Sequence, residues 1–233
     1  MNILLTNDDG YDSIGIHILK DKLSKYGRVV IVAPLTPMSG KSASISLREG
    51  IKVYPKENDV FAILGTPVDC VCFGLIGLDI KFDLVVSGCN NGFNLSYDTM
   101  YSGTVGAALE ALTHQVKSVA FSCEFNFNIV EKYFDQVFEY ILDHDLLSDD
   151  YMLNVNFPLG DEVRGIKLSS LYYCHHNSYF YKENDTYYAR RELQEVYEDK
   201  ESDCYLVRNG FVSITPLNKS YFNKTLLDYL KSK

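Results

Sequence analysis

Residues Arg28–Ala33 read RVVIVA, a run of β-branched and apolar side chains with no polar face. A strand apolar on both sides needs cover on both, which parallel sheets receive from the helices crossing over between strands. The surrounding chain supplies such crossovers. Met1–Thr6 is another short apolar run that opens into polar residues, and Ile16, Leu19, Leu23 and Tyr26 then recur at helical spacing, closed by Gly27. Phe61–Leu64, Asp83–Ser87, Ser118–Ser122 and Met152–Phe157 read as further strands. Between them, Thr66-Pro67 supplies a cap and a first-turn proline for a helix to about Leu75. Val105, Ala108, Leu109 and Leu112 mark a third helix, and Val130–Leu142 a fourth. Strands alternating with helices over residues 1–157 predict an α/β fold with a doubly wound, mostly parallel sheet, Rossmann-like and three-layered.

After about Gly165 the texture changes. Leu171–Tyr205 holds many tyrosines, several charges and His175-His176 without a helical period, and reads as β-hairpins or an irregular arm. Gly210–Pro216 reads as a strand returning to the sheet, and Lys219–Leu230 as a closing amphipathic helix with Tyr221, Leu226, Leu227 and Leu230 apolar. The expected organisation is one domain over 1–233. It comprises a core of about 1–165 plus 206–217, a β-rich arm of about 166–205 and a C-terminal helix of about 219–230.

The composition, 46% apolar and 23% charged, is that of a globular protein and not of a disordered one. A net charge of −9 argues against a nucleic-acid polymer as partner, because no basic excess is present to displace its counterions. Small phosphate-bearing ligands stay open, since a bound divalent cation can reverse the local field. MNILLTNDDG has neither the basic start nor the long apolar run of a signal peptide or anchor. No segment reaches the roughly 20 apolar residues of a membrane span. Six cysteines without an export signal read as reduced thiols, so a cytoplasmic location is expected.

In open α/β sheets ligands bind beyond the carboxyl ends of the strands. That rule selects Asn7–Gly10, Pro34–Ser46 and Gly88–Ser102, each more polar or longer than a plain connection requires. Asp8 and Asp9 are adjacent carboxylates at a strand tip, and their repulsion can be relieved by a hard cation; a simple turn or helix cap accounts for them equally well. Ser39-Gly40 and Lys41 could bring a hydroxyl, backbone donors and a positive charge, or merely turn the chain. Asn90, Asn91 and Asn94 offer carbonyl oxygens to a metal and amide donors to phosphate oxygens, with turn formation as the alternative. Ser102-Gly103-Thr104 opens a helix, whose N-terminal N–H groups and dipole favour an anion such as phosphate; an ordinary cap fits as well. The five histidines form no constellation along the sequence and are expected at surface or partner contacts.

TNDDG at 6–10, APxxPMSG at 33–40, GTPVDCV at 65–71, SGCNNGFN at 87–94, YSGTVGAALEA at 101–111, LNVNFP at 153–158 and GFVSITPL at 210–217 occur in one order. This set, spread over nearly the whole chain, closely resembles the SurE family of nucleotidases. The resemblance implies a metal-dependent phosphatase acting on nucleoside 5′- and 3′-monophosphates. Alternatives are an enzyme mainly active on polyphosphate or other phosphoesters, or a nucleotide-binding module without turnover. It further implies one divalent ion, Mg²⁺ or Mn²⁺, held by Asp8, Asp9, Ser39 and Asn90. Catalysis would centre on Asp8, Asp9 and Asn90, and phosphate would be cradled by Asn94, Ser102, Gly103 and Thr104. A homodimer or homotetramer is implied as well. Two positions depart from the family's usual pattern. Ser96 stands where a glycine is usual, which asks more of the backbone there, and Ser46 where threonine is common.

Overall fold

The structure is a computed structural model, and it describes residues 1–57, 59–172, 176–193, 199–219 and 224–233. The chain begins β1 (Asn2–Thr6), α1 (Ile14–Leu23), β2 (Arg28–Pro34), β3 (Lys52–Pro55), β4 (Val60–Leu64) and α2 (Pro67–Cys72). A π-helical turn over Phe73–Gly77 extends α2. Then come β5 (Leu84–Asn91), a 3-10 turn over Ser96–Met100, α3 (Gly103–Thr113), β6 (Lys117–Cys123), α4 (Phe127–Asp143) and β7 (Tyr151–Asn156). The remainder is β8 (Gly165–Leu168), a hairpin of β9 (His176–Glu183) and β10 (Thr186–Leu193), α5 (Asp203–Arg208), β11 (Phe211–Asn218) and α6 (Lys224–Lys231).

Nine strands make one sheet in the order β3-β4-β2-β1-β5-β6-β7-β11-β8. Six neighbouring strands, from β4 to β7, are mutually parallel. β3 runs antiparallel along one edge, and β11 enters antiparallel beside β7 before pairing in parallel with β8. Alternation along each strand divides the core. Ile3, Leu5, Ile31 and Val86 face α1 and α4, whose Ile16, Leu19, Phe134 and Phe138 are fully buried with them. Leu4, Val30, Val32 and Val85 face the opposite way, against Cys70 and Val71 of α2 and Ala107 and Ala111 of α3. The expected three-layer, doubly wound fold is present.

Four local differences have physical causes. β5 runs on to Asn91, so Gly88–Asn91, read as loop, is strand. Gly88 sits at φ 129°, where a Cβ would lie 2.3 Å from the Phe121 carbonyl oxygen, so only glycine lets the chain stay against β6 there. β3 and β8 were not foreseen; both are edge strands with largely exposed residues and lack the apolar run that signals a buried one. Because β8 belongs to the main sheet, its residues 166–168 depart from the sequence reading, which began the arm at about 166. α5 begins inside the stretch expected to be irregular and runs past its end at Tyr205, with Cys204, Leu206 and Val207 buried. The hairpin expectation holds over 176–193, while Tyr221 and His175 fall outside the described residues.

Candidate active site

β1 lies between β2 and β5, and the chain winds outward from it in both directions. This is the switch point of the sheet, where the loops after two adjacent strands part and leave a crevice. A cavity of about 240 Å³ opens there. Asp8, Ser39, Asn90, Asn94 and Ser102 line it, five of the eight residues singled out for the site, together with Gly40, Asn91, Asp98 and Tyr101. Tyr101 heads the YSGTVGAALEA block, whereas Asp98 carried no sequence signal, being an ordinary residue of a polar loop.

The tip of β1 is built by Asn7. Its side-chain nitrogen donates to Gly10 O at 2.9 Å and Ser13 Oγ at 2.7 Å, and its Oδ1 accepts from Gly10 N at 3.1 Å. This Asx turn consumes Asn7 and leaves the two aspartates projecting. Met38 N donates to Asp8 O at 2.7 Å, bringing the 34–46 loop, with Ser39, over the same tip. Ser42 closes that loop on the other side, donating through N to Tyr101 O at 3.0 Å and through Oγ to Met100 O at 2.7 Å.

Asp8 is almost wholly buried, and burial pushes its carboxyl above the ordinary 3.8; the charge of Asp9 adds to the push. The Thr104 hydroxyl donates to Asp8 Oδ1 and the Thr104 backbone N–H leans on the same group, both favouring the ionised form. A Cβ on Gly103 would fall 2.9 Å from the Asp8 Cβ. The first turn of α3 therefore packs directly on Asp8, and its positive end faces that carboxylate. Gly103 and Thr104 are turned to Asp8, whereas Ser102, the N-cap accepting from Val105 N at 3.1 Å, reaches the cavity. Asp9 is half-buried and likewise raised by burial, opposed by Asn91 N donating to its Oδ2 at 3.1 Å. The Asn90 amide nitrogen donates to Gly92 O at 2.8 Å, so its carbonyl oxygen is the end available to a ligand.

Behind the cavity is a network that sequence reading missed. Asn94 N donates to Asn156 Oδ1 at 2.9 Å, and Asn94 O accepts from Asn154 Nδ2 at 2.7 Å and Asn156 Nδ2 at 3.1 Å. The Asn94 side chain donates to Ser122 Oγ at 2.8 Å, which uses one of its two N–H groups. Asp203 accepts from Ser96 N at 2.8 Å, Tyr172 N at 3.3 Å and Cys204 N at 2.8 Å, with burial raising its carboxyl. Ser96 takes φ 53°, the left-handed conformation that glycine adopts more readily. The alternation of LNVNFP, with two asparagines among apolar residues, was the one available signal for Asn154 and Asn156.

A family profile described as Survival protein SurE matches residues 3–178. The chain belongs to the SurE family. Curated SurE relatives include the 5′-nucleotidase SurE of Clostridium botulinum strain Alaska E43, 34% identical, with 99% of this chain and 98% of that protein aligned. The 5′-nucleotidase SurE of strain ATCC 19397 is 37% identical, over 98% of this chain and 97% of that one. Among solved structures, the SurE protein of Aquifex aeolicus superposes with a TM-score of 0.86 at 34% identity, covering 100% of this chain and 99% of its own. Among the described residues no helix is long and apolar enough to cross a membrane. One further constellation stands apart from the SurE cavity: Cys72, Glu110 and His114, brought together by α2 and α3. His114 thus has partners that its place in the sequence did not reveal.

Proposed function

We propose that this chain is a metal-dependent phosphomonoesterase that hydrolyses nucleoside 5′- and 3′-monophosphates to nucleoside and phosphate. The observation that carries the reading is the charge of the cavity. Among the described residues its lining includes Asp8 and Asp98 and no lysine, arginine or histidine, so a phosphate dianion would be repelled without a cation. The donors at hand are carboxylate, hydroxyl and carboxamide oxygens, which suit Mg²⁺ or Mn²⁺. A buried Asp8 whose burial disfavours its own charge fits such an ion, since coordination relieves that cost. Relatives named 5′-nucleotidase, aligned over nearly the full chain, support the substrate class.

Asp8, Asp9, Ser39 and Asn90 would hold the ion. When bound, it neutralises phosphate charge and lowers the pKa of a water. The chain's own part is positional. Thr104 aims Asp8 and opposes the upward push of its burial, and Asn91 N does the same for Asp9. Ser102 and the Asn94 amide offer donors to phosphate oxygens, stabilising charge as it shifts in the transition state. The exposed hairpin aromatics Tyr179, Phe180, Tyr187 and Tyr188 support assembly into a dimer or tetramer. Free thiols at Cys70, Cys72, Cys89, Cys123 and Cys204 support a cytoplasmic setting.

The test is phosphate release from a panel of 5′- and 3′-nucleotides, with chelator, Mg²⁺ or Mn²⁺, beside Asp8→Asn. Metal-restored release that is lost in the variant is expected. Release that persists in chelator, or in Asp8→Asn at full rate, would refute the reading.

A further inference from the structure

α2 and α3 pack side by side on one face of the sheet, and three side chains meet where they do. Cys72 is the last residue of α2; Glu110 and His114 are four apart on α3 and its C-cap. The Cys72 thiol donates to Glu110 Oε1 at 3.3 Å, and His114 Nε2 lies 3.1 Å from the same oxygen. Sulfur, oxygen and nitrogen all fall within 4.8 Å of one another. None of the three lines the cavity at the end of β1.

We propose that Cys72, Glu110 and His114 form a second cation site, specific for a borderline-soft divalent ion of the Zn²⁺ type. Tetrahedral bonds of about 2.0–2.3 Å to S, N and O separate the donors by about 3.3–3.7 Å, so the two measured separations need to open by only a few tenths. Charge also balances: a thiolate and a carboxylate offset the two positive charges, and imidazole stays neutral. The thiol proton leaves for solvent as the metal–sulfur bond forms, and Nε2 takes part through its lone pair with the proton on Nδ1. Without metal, burial and the Glu110 charge push the Cys72 thiol up to about 12, so its proton bridges to Glu110. The Glu110 and His114 side chains keep 20% and 27% of their surface, which leaves an entry path and a fourth position for water. The ligand set is the opposite of the all-oxygen cavity. Two kinds of ion would therefore sort between two places on one chain, by ligand softness. The alternative is a proton network, since Thr113 Oγ1 also donates to Glu110 Oε1, at 3.1 Å.

The experiment is titration of the full-length, metal-stripped protein with Co²⁺, followed by displacement with Zn²⁺. Expected is a thiolate-to-cobalt charge-transfer absorption that saturates at one equivalent, persists in Asp8→Asn and disappears in Cys72→Ser. Zn²⁺ should raise the Tm of the parent protein well beyond that of Cys72→Ser, as binding to the folded form requires. Glu110→Gln and His114→Ala should each weaken cobalt affinity by more than roughly tenfold, and they carry the same test if Cys72→Ser does not fold. A folded protein without the band, or a band unchanged in Cys72→Ser because another thiol such as Cys174 supplies it, would overturn the proposal in favour of the proton network.

Discussion

The Thr104 hydroxyl donates to Asp8 Oδ1, joining the tip of the first strand to the helix that follows the fifth. A hydrogen bond to a buried carboxylate is worth about 1.5–3 kcal/mol. Thr104→Val is therefore expected to weaken apparent metal affinity roughly ten- to hundredfold. Thr104→Ser should recover most of it. Metal titrations of activity check this; equal affinities for Val and Ser would mean that the hydroxyl does not matter.

Asp8 sets a pH dependence whose sign is fixed by its burial. Its carboxyl in the metal-free fold is raised above the ordinary 3.8, so the folded state binds that proton more tightly than the unfolded chain. The corresponding stability is complete below the ordinary value and is lost as pH rises through the raised one. A metal held by Asp8, as proposed, would compete with the same proton, so its affinity should fall as pH drops through that window. Chelator-treated Asp8→Asn should unfold at a higher temperature than the parent near neutrality, by about 2–4 °C for each kcal/mol, and with a flatter pH slope. A melting series against pH for the two proteins decides it, and identical slopes would count against the assignment.

Asn156→Ala should damage both fold and turnover. It removes the acceptor for Asn94 N and one donor to Asn94 O, both in fully enclosed surroundings. An unsatisfied buried polar group costs about 1–3 kcal/mol, so a loss of that size is expected in denaturant titration. Because Asn94 borders the cavity, turnover should fall more than thermal stability alone explains at a temperature where the variant is folded.

Ser96→Gly should be neutral to stabilising, by up to about 1 kcal/mol, with activity retained. The serine holds φ 53°, which glycine adopts without steric cost, and its N–H to Asp203 is kept by the change. Ser96→Val should instead destabilise, a β-branched side chain being poorly tolerated in that conformation. Paired melting curves of the two variants test this.

Much of the sheet could be read from sequence because its strands are apolar on both faces, as at Arg28–Pro34, and its helices carry a single buried stripe. The site was legible where polar residues interrupted such strands at their ends, at Asp8 and Asn90. Other parts were silent. β3 and β8 bury too little to leave an apolar run, and Gly88–Asn91 reads as a turn because its glycine and asparagines serve a close approach to β6. The Asn154, Asn156 and Asp203 contacts join residues 60 to 107 positions apart, and local pattern cannot report such pairs. The Thr104 side chain, expected at phosphate, is turned to Asp8 for the same reason. Helix entry is visible in sequence, but which carboxylate lies in front of it is not.

Asp203 pins Ser96 from the far end of the chain, and β11 follows it into the sheet beside β7. The loop that faces Asp8 thus relies on a clasp supplied 107 residues beyond Ser96. Asp203 itself lies outside the parallel strands whose ends carry Asp8 and Asn90. The finish of the site is thus owed to a residue that the parallel sheet can do without.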